Sequence, residues 1–172
     1  MDKTVIFMDE VLHDSYCGLY CGACEILNLF KVSEEMGRTA EWDELPGPLR
    51  YNIREADIIC RGCRSDTVFA GCRGCQVREC ARDKGVKACV TCPDFPCEHV
   101  EALRSLLPGI QGKLPHTSAI LCDYETAKAK GYEAWAEAQR TRWQCPSCGA
   151  PFTWYQERCG VCRMELKGFR GY

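Results

Sequence analysis

Cysteine is the residue type in this chain best suited to chemistry, and it recurs in pairs. Six pairs read Cys-x-x-Cys, at positions 21/24, 60/63, 72/75, 89/92, 145/148 and 159/162. Two intervening residues form a tight turn that aims both sulfurs at one point, which suits a tetrahedral ion held by bonds of about 2.3 Å. A thioredoxin-type redox pair has the same spacing but stands alone near a βαβ pattern, and six copies in a loop-rich chain do not fit it. With 16 cysteines in 172 residues, an exported protein would be read as a disulfide scaffold. Residues 1–13 carry Asp2, Asp9 and Glu10 and have neither a basic start nor an apolar run, so a secretory signal is not expected. The expected compartment is the reducing cytoplasm, where structural disulfides are rare and thiolates are free to hold metal.

The most specific pattern is C-terminal. Cys145-Pro-Ser-Cys148-Gly149 is followed by Cys159-Gly-Val-Cys162, with ten residues between Cys148 and Cys159. Two such knuckles are expected to enclose a short β-hairpin over residues 152–156, with one zinc between the turns. Gly149 offers the permissive backbone a knuckle often needs after its second ligand. In all four ligands the segment resembles a rubredoxin-type zinc ribbon. Four cysteines close the coordination sphere, whereas catalysis needs an open position, so this zinc is expected to be structural. Arg158, Arg163, Lys167 and Arg170 are expected to offset the net negative charge that four thiolates leave on a zinc site.

Eleven more candidate metal ligands lie between residues 17 and 97: Cys17, Cys21, Cys24, Cys60, Cys63, Cys72, Cys75, Cys80, Cys89, Cys92 and Cys97. Arg61, Arg64 and Arg73 stand beside them, where a cation lowers the cost of concentrated thiolate charge. Cys24 and Cys97 open predicted helices, whose free N–H groups favour a thiolate and lower its pKa. The pairs 21/24 and 60/63 are expected to share one ion, and 72/75 or Cys80 to join 89/92. Cys17 and Cys97 are then extra ligands or buried thiols, Cys122 is a twelfth thiol, and His13, His99 and His116 are read as surface or capping residues.

Four strings carry a resemblance: Tyr16-Cys-Gly-Leu-Tyr-Cys-Gly-Ala-Cys24, Cys60-Arg-Gly-Cys-Arg64, Cys72-x2-Cys75-x4-Cys80-Ala81, and Gly85-Val-x2-Cys89-x2-Cys92-x2-Phe-Pro-Cys-Glu98. In that order they resemble the DUF3795 family, over residues 16 to about 103. The resemblance implies a cysteine-rich metal-binding domain and no particular activity. Similar sequences also carry a Gly-x-x-x-Trp helix leading into Trp-x-Cys-Pro-x-Cys-Gly, matched here by Gly131 to Trp135 and Trp143 to Gly149.

Zinc is the expected metal, at two to four ions, and an iron–sulfur cluster in the N-terminal half is the alternative. Soft thiolates accept either. The bacterial ferredoxin run is C-x2-C-x2-C-x3-C-P, and Cys72-x2-Cys75-x4-Cys80 and Cys89-x2-Cys92-Pro93 are near misses. Cys17-x3-Cys21-x2-Cys24 also has the spacing of radical SAM enzymes, but the βα alternation of a ~250-residue barrel is missing.

The elements that must position these ligands follow from periodicity and breakers. One helix is expected after Cys24, burying Ile26, Leu27 and Phe30 and ending near Gly37. A short helix runs from Val77 to Lys84 and stops at Gly85. Another begins around 94–97, presents Val100, Leu103, Leu106 and Leu107, and ends at Pro108-Gly109. A linker over 111–117 precedes a long helix from about Asp123 to Arg142, with Trp135 in its core face and Gly131 at a point of close packing. The expected class is α+β, a small irregular metal-stabilised fold. It divides into a cysteine-rich domain (1–120), a connecting helix (121–143) and a zinc-ribbon β-hairpin (144–172).

Charge and motifs narrow the function. The net charge is −7 over residues 1–57 and +4 over residues 128–172, so nucleic acid is a plausible partner only through the C-terminal ribbon. No apolar stretch reaches the ~20 residues of a membrane span. There is no phosphate-binding glycine loop, Ser/His/Asp order or HExxH helix. The expected function is therefore a non-catalytic zinc protein with a macromolecular partner such as another protein. A redox or cluster-carrying protein and an enzyme with a thiolate-rich metal site are the alternatives.

Overall fold

The computed structural model describes residues 13–52, 57–122 and 124–169. Asp2, Asp9 and Glu10, the Asp123 start of the expected long helix, and Arg170 lie outside the described residues. The described chain is helical: α1 (Glu25–Glu35), α2 (Gly47–Asn52), α3 (Gln76–Asp83), α4 (Glu98–Gln111), α5 (Tyr124–Lys130) and α6 (Tyr132–Arg142), with short 3-10 turns between them. No strand occurs among the described residues, so the α+β class is corrected to an all-helical one.

The reason lies in where the backbone donors between Cys148 and Cys159 go. Trp154 N–H donates to the Ala23 carbonyl (2.9 Å) and Tyr155 N–H to a carboxylate oxygen of Glu25 (2.5 Å). Thr153 and Gln156 satisfy each other locally. With those groups committed to the N-terminal cysteine loop or to a turn, no cross-strand ladder forms. What survives of the hairpin is one isolated antiparallel bridge per knuckle, Gln144 with Pro151 and Arg158 with Glu165.

Two helices differ from their expected bounds. α4 continues through Pro108 and Gly109 to Gln111. Pro108 is exposed, so the helix loses an interior bond but buries no unpaired group. The expected long helix is broken into α5 and α6 at Gly131, which has φ +85 and ψ 168. That conformation is essentially restricted to glycine. Nothing lies within 4 Å of where a Cβ would stand, so backbone freedom rather than close packing explains the residue. α1 and α3 form where periodicity places them, each followed by a glycine with positive φ, Gly37 and Gly85.

The apolar residues gather into three modest clusters rather than one core. Val77 and Ala81 of α3, Val100 of α4, Ala127 of α5 and Trp135 of α6 meet around Tyr16, Ala88, Val90 and Phe95. Ile26 and Leu27 of α1 pack with Leu45, Leu49, Ile58 and Phe69. Trp143, Phe152, Trp154 and Leu166 surround Ala23, which sews the C-terminal segment to the loop carrying Cys21 and Cys24. Each cluster is bordered by cysteines. Among the described residues, no helix is long and apolar enough to cross a membrane.

Candidate metal centres

All sixteen cysteines are free thiols, none joined in a disulfide. The Cys-x-x-Cys spacing is realised as a tight turn: Cys24 N–H donates to the Cys21 carbonyl (2.9 Å) and Cys92 N–H to that of Cys89 (3.0 Å). These turns place the thiols in three groups.

The C-terminal group is the most compact. The sulfurs of Cys145, Cys148, Cys159 and Cys162 all lie within 4.8 Å of one another. Cys145 to Cys162 and Cys148 to Cys159 are each 3.5 Å, close to the ~3.8 Å edge of a tetrahedron with bonds of about 2.3 Å. Each knuckle closes through a left-handed residue after its second cysteine. Gly149 (φ +72) donates to the Cys145 carbonyl at 2.8 Å, and Arg163 (φ +64) to that of Cys159 at 3.0 Å. The N–H groups of Cys162 and Val161 point at the Cys159 sulfur and draw its thiol down to about 6. The Met164 N–H lowers Cys162 in the same way. The four donors fit one thiophilic ion such as zinc, with no coordination position open. Arg158, Arg163 and Lys167 are exposed around it.

The eleven N-terminal cysteines divide into seven and four. Cys17, Cys21, Cys24, Cys60, Cys63, Cys72 and Cys75 line one cavity of about 280 Å³. Its remaining wall is mostly apolar, from Ile26 and Leu27 of α1 through Leu49, Val68, Phe69, Leu103 and Ile120, and it is completed by His116 and Trp154. Cys80, Cys89, Cys92 and Cys97 line a second, far smaller cavity of about 10 Å³ beside Ala81, Val86, Phe95 and Val100. That is room for a single water-sized body.

Cys21, Cys24, Cys60 and Cys63 thus line the same cavity, and Cys80 lines the smaller one with Cys89 and Cys92. Cys72 and Cys75 go instead to the larger cavity, with Cys17, and Cys97 goes to the smaller. Cys122 lines neither and donates to the Ser118 carbonyl (2.9 Å). The two groups touch where Cys89 N–H donates to the Tyr16 carbonyl (2.9 Å). Among the described residues, no three of these eleven sulfurs form a compact ligand set like the C-terminal one.

Burial governs the thiols of the large cavity. It raises Cys17, drives Cys21 and Cys24 well above the usual thiol range, and pushes Cys63 up to about 12. The Leu27 N–H at the start of α1 does favour the Cys24 thiolate, but desolvation and the neighbouring Cys60 outweigh it. Helix-start activation of Cys24 is therefore corrected. Such thiols keep their protons until a cation replaces them, so loading a metal releases protons.

The charged residue at the cavity is Arg78, which sequence reasoning missed. It is 9% exposed and donates to the carbonyls of Cys63 and Ser65, both at 2.8 Å. Its guanidinium also favours the Cys63 thiolate. The only hint in the sequence was its place one residue after Val77 on a helix following a knuckle. The arginines singled out earlier are engaged elsewhere. Arg61 pairs with Glu34, and Arg64 pairs with Asp14 (3.0 Å) and Tyr132 (3.1 Å), while Arg73 is exposed.

His116 is buried rather than a surface residue. Its ring stacks on Trp154 at 4.0 Å, its Nδ1 meets the Tyr155 hydroxyl at 2.5 Å, and burial lowers its pKa to about 4.

No curated protein and no solved structure matches the chain. Residues 13–102, more than half of the chain, match the model of the family described as a protein of unknown function (DUF3795), and the chain belongs to that family.

Proposed function

We propose that this is a non-catalytic metal-binding protein in which zinc at Cys145, Cys148, Cys159 and Cys162 latches the C-terminal segment onto the N-terminal cysteine loop. The observation that carries the reading is the four-sulfur cluster, with its two 3.5 Å sulfur pairs and every coordination position filled by cysteine. A closed four-thiolate sphere suits folding and leaves no place for water or substrate. The knuckles sit beside the Trp154 and Tyr155 amides that reach Ala23 and Glu25, so an ion there fixes the docked segment. The eleven N-terminal cysteines are further metal ligands in the same reading. Of these, Cys80, Cys89, Cys92 and Cys97 take a single ion, in keeping with their small cavity.

Metal analysis of the full chain, purified without oxygen, tests this. The C-terminal site should contribute one tightly held zinc per chain, and Cys148→Ser should remove it. That variant should also lose the order of residues 144–166, because structural zinc is worth roughly 10–16 kcal/mol in zinc-finger peptides. A Cys148→Ser protein with full zinc content and unchanged thermal midpoint overturns the reading.

A further inference from the structure

The two kinds of thiol cluster in this molecule differ in spacing, and the difference is chemical. Around a single ion, four sulfurs stand at the corners of a small tetrahedron, and those of Cys145, Cys148, Cys159 and Cys162 are close enough together for that. Seven other cysteines face one another across a cavity of about 280 Å³ without forming such a set. A polynuclear cluster separates its thiolate ligands by its own body of iron and sulfide, so its ligands stand further apart than those of one ion.

From this juxtaposition we propose that the seven-cysteine cavity is the seat of an iron–sulfur cluster of the [4Fe–4S] class. The inference rests on the reading of the N-terminal cysteines as metal ligands and names their cofactor.

The surroundings fit that occupant. The wall is apolar, which keeps water from a hydrolysable sulfide core. Backbone N–H groups are aimed at the sulfurs: those of Leu19 at Cys17, Tyr16 at Cys63, Cys63 at Cys21 and Leu27 at Cys24. Hydrogen bonds of this kind to cluster sulfurs help set their potential. The buried Arg78 guanidinium supplies positive charge beside an assembly whose thiolates and sulfides leave it negative. Seven thiols suffice for one such cluster with three in reserve. Of the seven, only Cys72 is exposed, which places one edge of the cluster at the surface.

The test uses the full chain expressed with iron and purified under argon. Iron, acid-labile sulfide and zinc are counted per chain, and the visible spectrum and the electron paramagnetic resonance of dithionite-reduced protein are recorded. The proposal expects iron and sulfide in equal amounts, at about four or more of each per chain, with a broad visible absorption that bleaches on reduction. A variant with Cys21, Cys24, Cys60 and Cys63 all replaced by serine leaves three thiols in the cavity, one fewer than such a cluster needs, and should lose most of the iron and sulfide while keeping the C-terminal zinc. Cys122→Ser should lose none. Zinc alone, without iron or sulfide, overturns the cluster and leaves the zinc latch standing. Iron and sulfide present but unaffected by that fourfold replacement also overturn it. Iron and sulfide without any zinc at the C-terminal site sink the latch and leave the cluster in place. Should that variant fail to fold, the count and the resonance spectrum of the unsubstituted protein still decide.

Discussion

At the scale of single residues, His116 links the stability of this protein to pH. It is 6% exposed, stacked on Trp154 with Tyr155 edge-on to it, and burial sets its folded pKa near 4 against an ordinary 6.5. Between those two values the unfolded chain holds a proton that the folded chain refuses, so stability falls as the pH falls through the window. The full effect is about 3 kcal/mol. Thermal midpoints measured from pH 7 to pH 4 should drop more steeply for the natural protein than for His116→Gln, and parallel slopes would refute the assignment. Nothing in the sequence announces this residue, because its environment is made by Trp154 and Tyr155, some forty positions away. Arg78 was hidden for the same reason. A lone arginine on a short helix is usually solvated, and its burial follows only from the knuckle that brings the Cys63 and Ser65 carbonyls over it. The cysteines were legible individually, since their spacing is local, but their division into seven and four was not. That division depends on how α1, α3 and the loops between them fold back on one another.

At the scale of elements, helices could be read wherever an apolar period ended in a glycine, as for α1 and α3. Reading failed where a glycine stood inside the period. Gly131 looked like a tolerated helical residue at a tight contact, and it is instead the corner between α5 and α6. Gly131→Ala should therefore cost about 1–3 kcal/mol through backbone strain alone, with no steric clash to relieve. Chemical denaturation should show the loss while far-ultraviolet circular dichroism stays the same. A gain in helical signal with unchanged stability would mean the corner is optional. The C-terminal segment failed in another way. Its two knuckles suggested an enclosed hairpin, but knuckle spacing only states where the sulfurs meet, not how the amides between them are bonded. Here Phe152 and Trp154 turn inward, while the amides that a partner strand would need are given to Ala23 and Glu25.

At the scale of the whole molecule, three small apolar clusters bordered by thiols replace a single core. On the proposed reading cohesion depends on what the thiols hold, and the C-terminal segment covers part of the large cavity through Trp154. Removing zinc from the C-terminal site should consequently expose cysteines far from it. Stripping zinc with a chelator, or introducing Cys148→Ser, should speed alkylation of Cys21 and Cys24 relative to the intact protein, read by mass spectrometry of the labelled peptides. Equal rates would mean the latch does not shield them. The position of Trp154 also bears on how the finished protein is made. A chain that closed its last knuckles first would wall off the deeper thiols before their cargo arrived. Under the proposed cluster and latch, maturation has a direction, with the interior furnished early and the door shut afterwards.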